Sequence, residues 1–262
     1  MRLILTYHAT RLESLDPRGC DVLRLAADLG ILLDSGLPVL PLGKLLSPDC
    51  RHGVAITLDD GTRIDAEQHR HPRLGLLPSI LQVLHEARNK IPAICASSFV
   101  IASPLARLEM ARALAQDFGD DLMHDRWWPE AQRSGLMALE NHSWDHNHPL
   151  VAHTAQRENR RGSFLDIETE AEAEAEIAAA SDYIARAVGV RPRYFAYPFG
   201  DVSAFLRDSW LPRRGPEIGL EAAFGTEPRL LADGDNRWAL PRFVSGRDWC
   251  DEDGLRALLR TD

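Results

Sequence analysis

Apolar runs and polar intervals alternate along this chain as strand, helix, strand. Arg2 to Tyr7 holds Leu3, Ile4 and Leu5 in unbroken succession, the pattern of a strand covered on both faces. Beyond Pro17 and Gly19, the residues Val22, Leu25, Ala26, Leu29 and Leu32 recur at helical spacing, which predicts a helix over Asp21 to Ser35 closed by Gly36 and Pro38. Val39-Leu40 reads as a short strand, and the apolar, β-branched run Val54 to Leu58 as a longer one. Leu77, Ile80, Leu81, Leu84 and Ala87 share one stripe of a helix over Leu76 to Arg88, and Ile94 to Ile101 is again a strand. Pro104 suits the first turn of a helix running to Phe118, Glu130 to Leu136 is helical, and Met137 to Asn141 is a strand.

The acidic tract from Asp166 to Val188 alternates Glu with Ala. That imitates a strand period, yet both residue types favour helix, so a surface helix with a solvated acidic face is expected, ended by Gly189. Tyr194 to Tyr197, Ala222 to Thr226 and Ala239 to Val244 follow as strands, with a turn at Pro198-Phe199-Gly200-Asp201 and helices at Val202 to Trp210 and Asp251 to Arg260. Thr62 to Arg73 is polar and aperiodic. It reads as a loop over the strand ends, with His69 and His71 as exposed loop residues and not ligands. Trp127-Trp128-Pro129 reads as core filling, with packing under a site loop as the other reading. The alternation implies an α/β fold with a mainly parallel sheet that can close into a barrel, one domain over residues 1–262.

Composition narrows the partners. A hydrophobic fraction of 45% and a charged fraction of 26% are those of a globular protein, and a formal net charge of −9 disfavours nucleic acid and anionic membrane surfaces. No stretch approaches the roughly 20 apolar residues of a membrane span. The opening residues do not read as a signal peptide, and Cys20, Cys50, Cys95 and Cys250 form no CxxC pair, so a reduced, cytoplasmic location is expected.

The chemistry gathers where the Val54 strand ends, on Asp59-Asp60-Gly61. Adjacent carboxylates are costly to bury without a cation or hydrogen bonds, and Gly61 permits a sharp turn. By itself this is as readily a polar turn as a metal or acid/base site. Asn141-His142-Ser143-Trp144-Asp145-His146 adds two histidines four apart, a spacing that can bring both imidazoles to one face of a helical turn or compact loop. Together with a carboxylate such as Asp60, they suit zinc or another divalent transition metal and leave coordination positions open.

Thr57-Leu58-Asp59-Asp60-Gly61 resembles the TFDDG motif of the polysaccharide deacetylase (NodB-homology, carbohydrate esterase family 4) superfamily. His142 to His146 resembles its HSxxH motif, and Phe195-Ala196-Tyr197-Pro198-Phe199-Gly200 its third motif in the YPYG-like form. The resemblance spans most of the chain. It implies a distorted (β/α) barrel with fewer than eight complete strand-helix units. The implied activity is metal-dependent removal of an N-acyl group, acetyl foremost, from an amino sugar or saccharide. It further implies Asp60, His142 and His146 as ligands of one divalent ion, zinc first, with cobalt, nickel or manganese as alternatives. Asp59 would be the general base toward a water polarised by the ion, and the backbone N–H of Phe199 would help hold the oxyanion.

The chain departs from the commonest family pattern twice. No late Leu-x-His motif is present, the corresponding stretch being Ala239-Leu240-Pro241-Arg242-Phe243, whereas His8 ends the first strand. This is similar to the circularly permuted branch related to poly-N-acetylglucosamine deacetylases, in which the strand with the general acid comes first, and it makes His8 the acid candidate. Ala196 stands where the third motif carries arginine; Arg242 is the candidate to orient Asp59, with a purely structural salt bridge as the other reading. Tyr197 and Trp144 are candidates for substrate contact or support. Asp248-Trp249 faintly resembles a fourth motif and receives no role. The expected partner is an N-acylated amino sugar or other small amide. Rival readings are a hydrolase of a non-sugar linear or cyclic amide on the same fold, and a catalytically silent sugar-binding barrel.

Overall fold

The computed structural model describes residues 1–12, 16–71, 73, 75–119, 121–151 and 163–260. The strands, in chain order, are β1 (Arg2–Tyr7), β2 (Gly53–Leu58), β3 (His69–His71), β4 (Gly75–Leu77), β5 (Ala96–Val100), β6 (Met137–Asn141), β7 (Tyr194–Ala196), β8 (Ala222–Phe224) and β9 (Phe243–Val244). Seven of them form one parallel sheet in the order β8-β7-β6-β5-β2-β1-β9, while β3 and β4 make a separate antiparallel hairpin. Leu240, just ahead of β9, bridges in parallel to Phe224 of β8, so the two edges of the sheet are brought around toward each other. The result is the distorted (β/α) barrel expected from the sequence. Among the described residues no helix is long and apolar enough to cross a membrane.

Burial on both faces explains the apolar strands. Leu3, Leu5 and Tyr7 of β1, with Val54, Ile56 and Leu58 of β2, pack outward against helices, including Asp21–Ser35, which ends at Gly36 with φ 71. Ile4, Ala55, Phe99, Tyr194 and Phe224 face the barrel interior. The period of two then carries Ala55, Thr57 and Asp59 along the inner face, and Thr57 Oγ1 meets Thr6 Oγ1 there at 2.8 Å. The base candidate is thus aimed inward by strand geometry alone.

Several expected elements differ. Within the 62–73 stretch, of which residue 72 lies outside the described residues, His69–His71 is a hairpin strand and not a loop. His69 and His71 are buried instead of exposed, with His69 stacked on Phe118 at 5.6 Å. The following helix begins at Ile80, capped by the Ser79 side chain, because Leu77 is drawn into β4. Val39 makes only an isolated bridge to Val54. The helix from Pro104 breaks after Ala113 and resumes at Ala115–Phe118.

The Glu/Ala tract starts its helix at Glu170, where Thr169 and Glu172 form a capping box, and it contains a π-helical turn over Glu174–Ala178. The acidic face is not wholly solvated: Glu176 is buried. Val202 to Trp210 likewise becomes a π turn at Leu206–Trp210, and Ala239 to Val244 shortens to the bridge at Leu240 and β9.

Candidate active site

Neighbouring residues of a strand face opposite sides, so Asp59 and Asp60 can serve one site only if the strand stops between them. It does. Asp60 has φ 75 and Gly61 φ 69, two successive left-handed residues that turn the second carboxylate back to the cavity. Gly61 is sterically required: a Cβ there would lie 2.4 Å from Val100 Cγ1 and 2.8 Å from Val100 Cα.

Asp59 is held by Arg242 through a two-point contact, Nη1 donating to Oδ1 at 2.7 Å and Nη2 to Oδ2 at 2.8 Å. The guanidinium is fully buried, donates Nε to the Gly225 carbonyl at 3.0 Å and lies over the Phe99 ring at 5.3 Å. Burial would raise the Asp59 pKa, but the positive charge of Arg242 overrides it and holds the carboxyl well below the usual carboxylate range. Arg242 thus contacts Asp59 where Ala196 offers no side chain to do so. The pair is at once an orienting contact and a buried salt bridge, the two alternatives left open by the sequence.

The second motif is a compact loop and not a helical turn, with φ 69 at Ser143, 63 at His146 and 45 at Asn147. Its own side chains fold it. Asn141 Oδ1 accepts the Ser143 N–H at 2.7 Å, Ser143 Oγ the His146 N–H at 2.9 Å, and Asp145 Oδ1 the Asn147 N–H at 2.8 Å. From outside, Asn141 Nδ2 donates to the Ile177 carbonyl and Ser181 Oγ, both at 2.8 Å, and buried Glu176 accepts the Asp145 N–H at 3.3 Å. The π turn thus supports the histidine loop.

The imidazoles of His142 and His146 sit with centroids 4.8 Å apart, and each Nε2 is 3.7 Å from Asp60 Oδ1. The donor atoms of Asp60, His142 and His146 lie within 4.8 Å of one another, the only such cluster among the described residues. His142 Nδ1 is 2.9 Å from the Ala196 carbonyl oxygen. A carbonyl only accepts, so Nδ1 carries the proton and Nε2 keeps its lone pair for a ligand bond. Burial lowers the pKa of His142 and lowers that of His146 further, keeping both rings neutral. One carboxylate and two neutral imidazoles on a shared cavity wall fit a divalent zinc-type ion.

These groups line a cavity of about 410 Å³, together with His8 and Phe199. His8 follows β1 and is half-buried; its N–H donates to buried Asp21 Oδ2 at 2.8 Å, which fixes the strand end at the rim. Phe199 has φ 59, and its half-exposed ring meets His146 at 4.4 Å. Among the described residues no hydrogen bond uses the Phe199 N–H. Tyr197 and Trp144, in contrast, do not line the cavity. Tyr197 is buried in the core and donates to the Trp238 carbonyl at 2.9 Å, whereas Trp144 packs on Tyr183 at 5.8 Å. Trp249 of the faint fourth motif is likewise structural, its Nε1 donating to Asp28 at 2.9 Å.

Sequence reasoning missed His148, which lines the cavity 5.6 Å from the His146 ring and 5.8 Å from Phe199. Its signal was present as a third histidine just beyond HxxxH. It also missed an apolar side made by Ile101, Met110, Leu114 and Met123, which come from separate segments and carry no shared pattern.

The sequence family described as polysaccharide deacetylase matches residues 47–209, more than half of the chain. Among curated proteins none matches this sequence. Among solved structures, IcaB from Ammonifex degensii superposes with a TM-score of 0.65 at 19% identity, covering 99% of this chain and 97% of that one. The deacetylase PplD of Streptococcus pyogenes, in complex with acetate, gives a TM-score of 0.64 at 15% identity over 99% and 98% of the two chains. A polysaccharide deacetylase from Bacillus cereus gives 0.59 at 16% identity, covering 93% of this chain and 64% of its own.

Proposed function

The chain belongs to the polysaccharide deacetylase family, and from that premise we propose that it is a metal-dependent hydrolase removing an N-acyl group from an amino sugar or saccharide. The observation that carries the reading is the convergence, in one cavity, of Asp60, His142 and His146 with the Arg242-held Asp59 beside them. A silent sugar-binding barrel has no use for a buried carboxylate and guanidinium aimed at a ligand cluster. Asp60 Oδ1 and the Nε2 atoms of both histidines would hold the ion, zinc foremost. Bound there, it would supply Lewis acidity, polarising water and carbonyl.

The remaining roles fall to the chain. Asp59, ionised and fixed by Arg242, accepts a proton from the attacking water on the lone pairs its guanidinium contacts leave free. The Phe199 N–H donates to the developing oxyanion. His8 gives a proton to the leaving amine nitrogen, since an amine departs poorly as an anion. A single domain and a cytoplasmic location belong to the same proposal, the latter supported by four cysteines that stand as separate thiols.

The test is metal analysis of the purified protein combined with carboxylate release from a panel of N-acylated amino sugars, acetyl included. One bound divalent ion and metal-dependent release are expected. A fully metal-loaded protein that releases nothing from any of them would overturn the reading.

A further inference from the structure

The cavity is chemically two-sided. His8 and Asp59 stand at the ends of β1 and β2, and the histidine loop and Phe199 follow β6 and β7. Between β2 and β6, past Asp60 and Thr62, the lining turns apolar. Ile101 follows β5, Met110 and Leu114 lie one turn apart at the end of helix Pro104–Ala113, and Met123 comes from the next connection. The acetyl methyl group needs one small apolar contact, whereas four large side chains from three segments make a surface several carbons long.

That wall is rigid. Buried Arg107 lies over the Trp128 ring at 4.8 Å, donates to the Met123 carbonyl at 3.0 Å and reaches the Ala102 carbonyl at 3.4 Å, so it ties both ends of the wall to one helix. Leu114, at the mouth, is 38% exposed and would be covered by a bound chain.

We propose that the acyl group removed by this site is an aliphatic chain of several carbons, laid along Ile101, Met110, Leu114 and Met123. The proposal rests on the amide-hydrolase reading above. Sheet order sets the direction: β2 separates β1 from β5, so the amine part of the substrate lies on the His8 side and the acyl part on the Ile101 side. Water adds to the acyl carbon and the C–N bond breaks. One proton passes from water to Asp59 and one from His8 to the amine, giving a free amine and an alkanoic acid; the acid ionises to solvent as alkanoate, and the proton on Asp59 is returned to His8.

Zinc-loaded protein is assayed on N-acetyl-, N-butanoyl- and N-hexanoyl-glucosamine, and binding of acetate, butanoate and hexanoate is followed in parallel by calorimetry. We expect kcat/KM and alkanoate affinity to rise about fourfold per added methylene, the gain from burying one CH₂. Leu114→Asn, at a half-open helix end, and Met110→Gln should each flatten both trends relative to their own acetyl values. Hydrolysis that is best on acetyl, or a chain-length trend indifferent to both variants, overturns this proposal and leaves the hydrolase reading standing. Alkanoate binding that lengthens with the chain while no amide is cleaved keeps the wall and overturns the hydrolase reading. Absence of both trends removes both.

Discussion

Arg242 and Asp59 are 183 positions apart in sequence and meet in a buried two-point ion pair, 2.7 and 2.8 Å long. Removing the guanidinium strands a buried carboxylate, so Arg242→Ala should cost about 3–5 kcal/mol of stability. Arg242→Lys keeps the charge but not the fork, and should recover part of the stability while leaving turnover low. Thermal melts and turnover of the two variants check this; an Arg242→Ala protein as stable as wild type would reject the pairing.

Asp60→Ala, His142→Ala and His146→Ala should each reduce bound metal from one ion per chain to none. His148→Ala should retain it, because His148 stands outside the ligand cluster although it lines the same cavity. Metal content by mass spectrometry separates the two cases, and loss of the ion from His148→Ala would enlarge the ligand set.

Gly61→Ala places a methyl 2.4 Å from Val100 Cγ1 in a backbone with φ 69. Left-handed strain alone costs about 1–3 kcal/mol, before Val100 moves. A lowered denaturation midpoint and weakened metal binding are expected together, since Asp60 takes its direction from this turn. A neutral Gly61→Ala would show that the turn is not needed.

Asp28 gives a pH dependence distant from the site. Burial pushes its carboxyl from 3.8 up to about 6, against the lowering effects of Arg24, Trp249 and Tyr7. The folded chain therefore holds a proton there that the unfolded chain has given up, so this group's contribution to stability falls as pH rises from about 3.8 to 6 and levels off above. The stability of wild type relative to Asp28→Asn should decline across that interval in urea titrations, and a constant difference would refute the shift.

Much of the site was legible because its chemistry is local. Asp59-Asp60-Gly61 and His142 to His146 are short segments whose spacing already implies convergence, and β1 and the Asp21–Ser35 helix match their apolar patterns to the residue. What stayed hidden depends on distant partners. Burial of His69 and His71 comes from pairing with β4 and from Phe118, and polar residues alone do not announce that. Glu176 looks like its exposed neighbours in the Glu/Ala tract, yet a π turn rotates it inward to the Asp145 N–H. Arg242 could be nominated from the missing arginine at Ala196, but its bond to Asp59 rests on the curl that brings Leu240, just ahead of β9, against β8.

The most direct test of the account is turnover of Asp59→Asn on an N-acylated glucosamine at measured full zinc occupancy. Asp59 lies beside the donor cluster of Asp60, His142 and His146 without belonging to it, so the variant should keep its metal and lose activity by about 10²–10⁴-fold, the usual contribution of a positioned base. Metal lost along with the activity would make Asp59 a ligand, and turnover near wild type would contradict its role as the base.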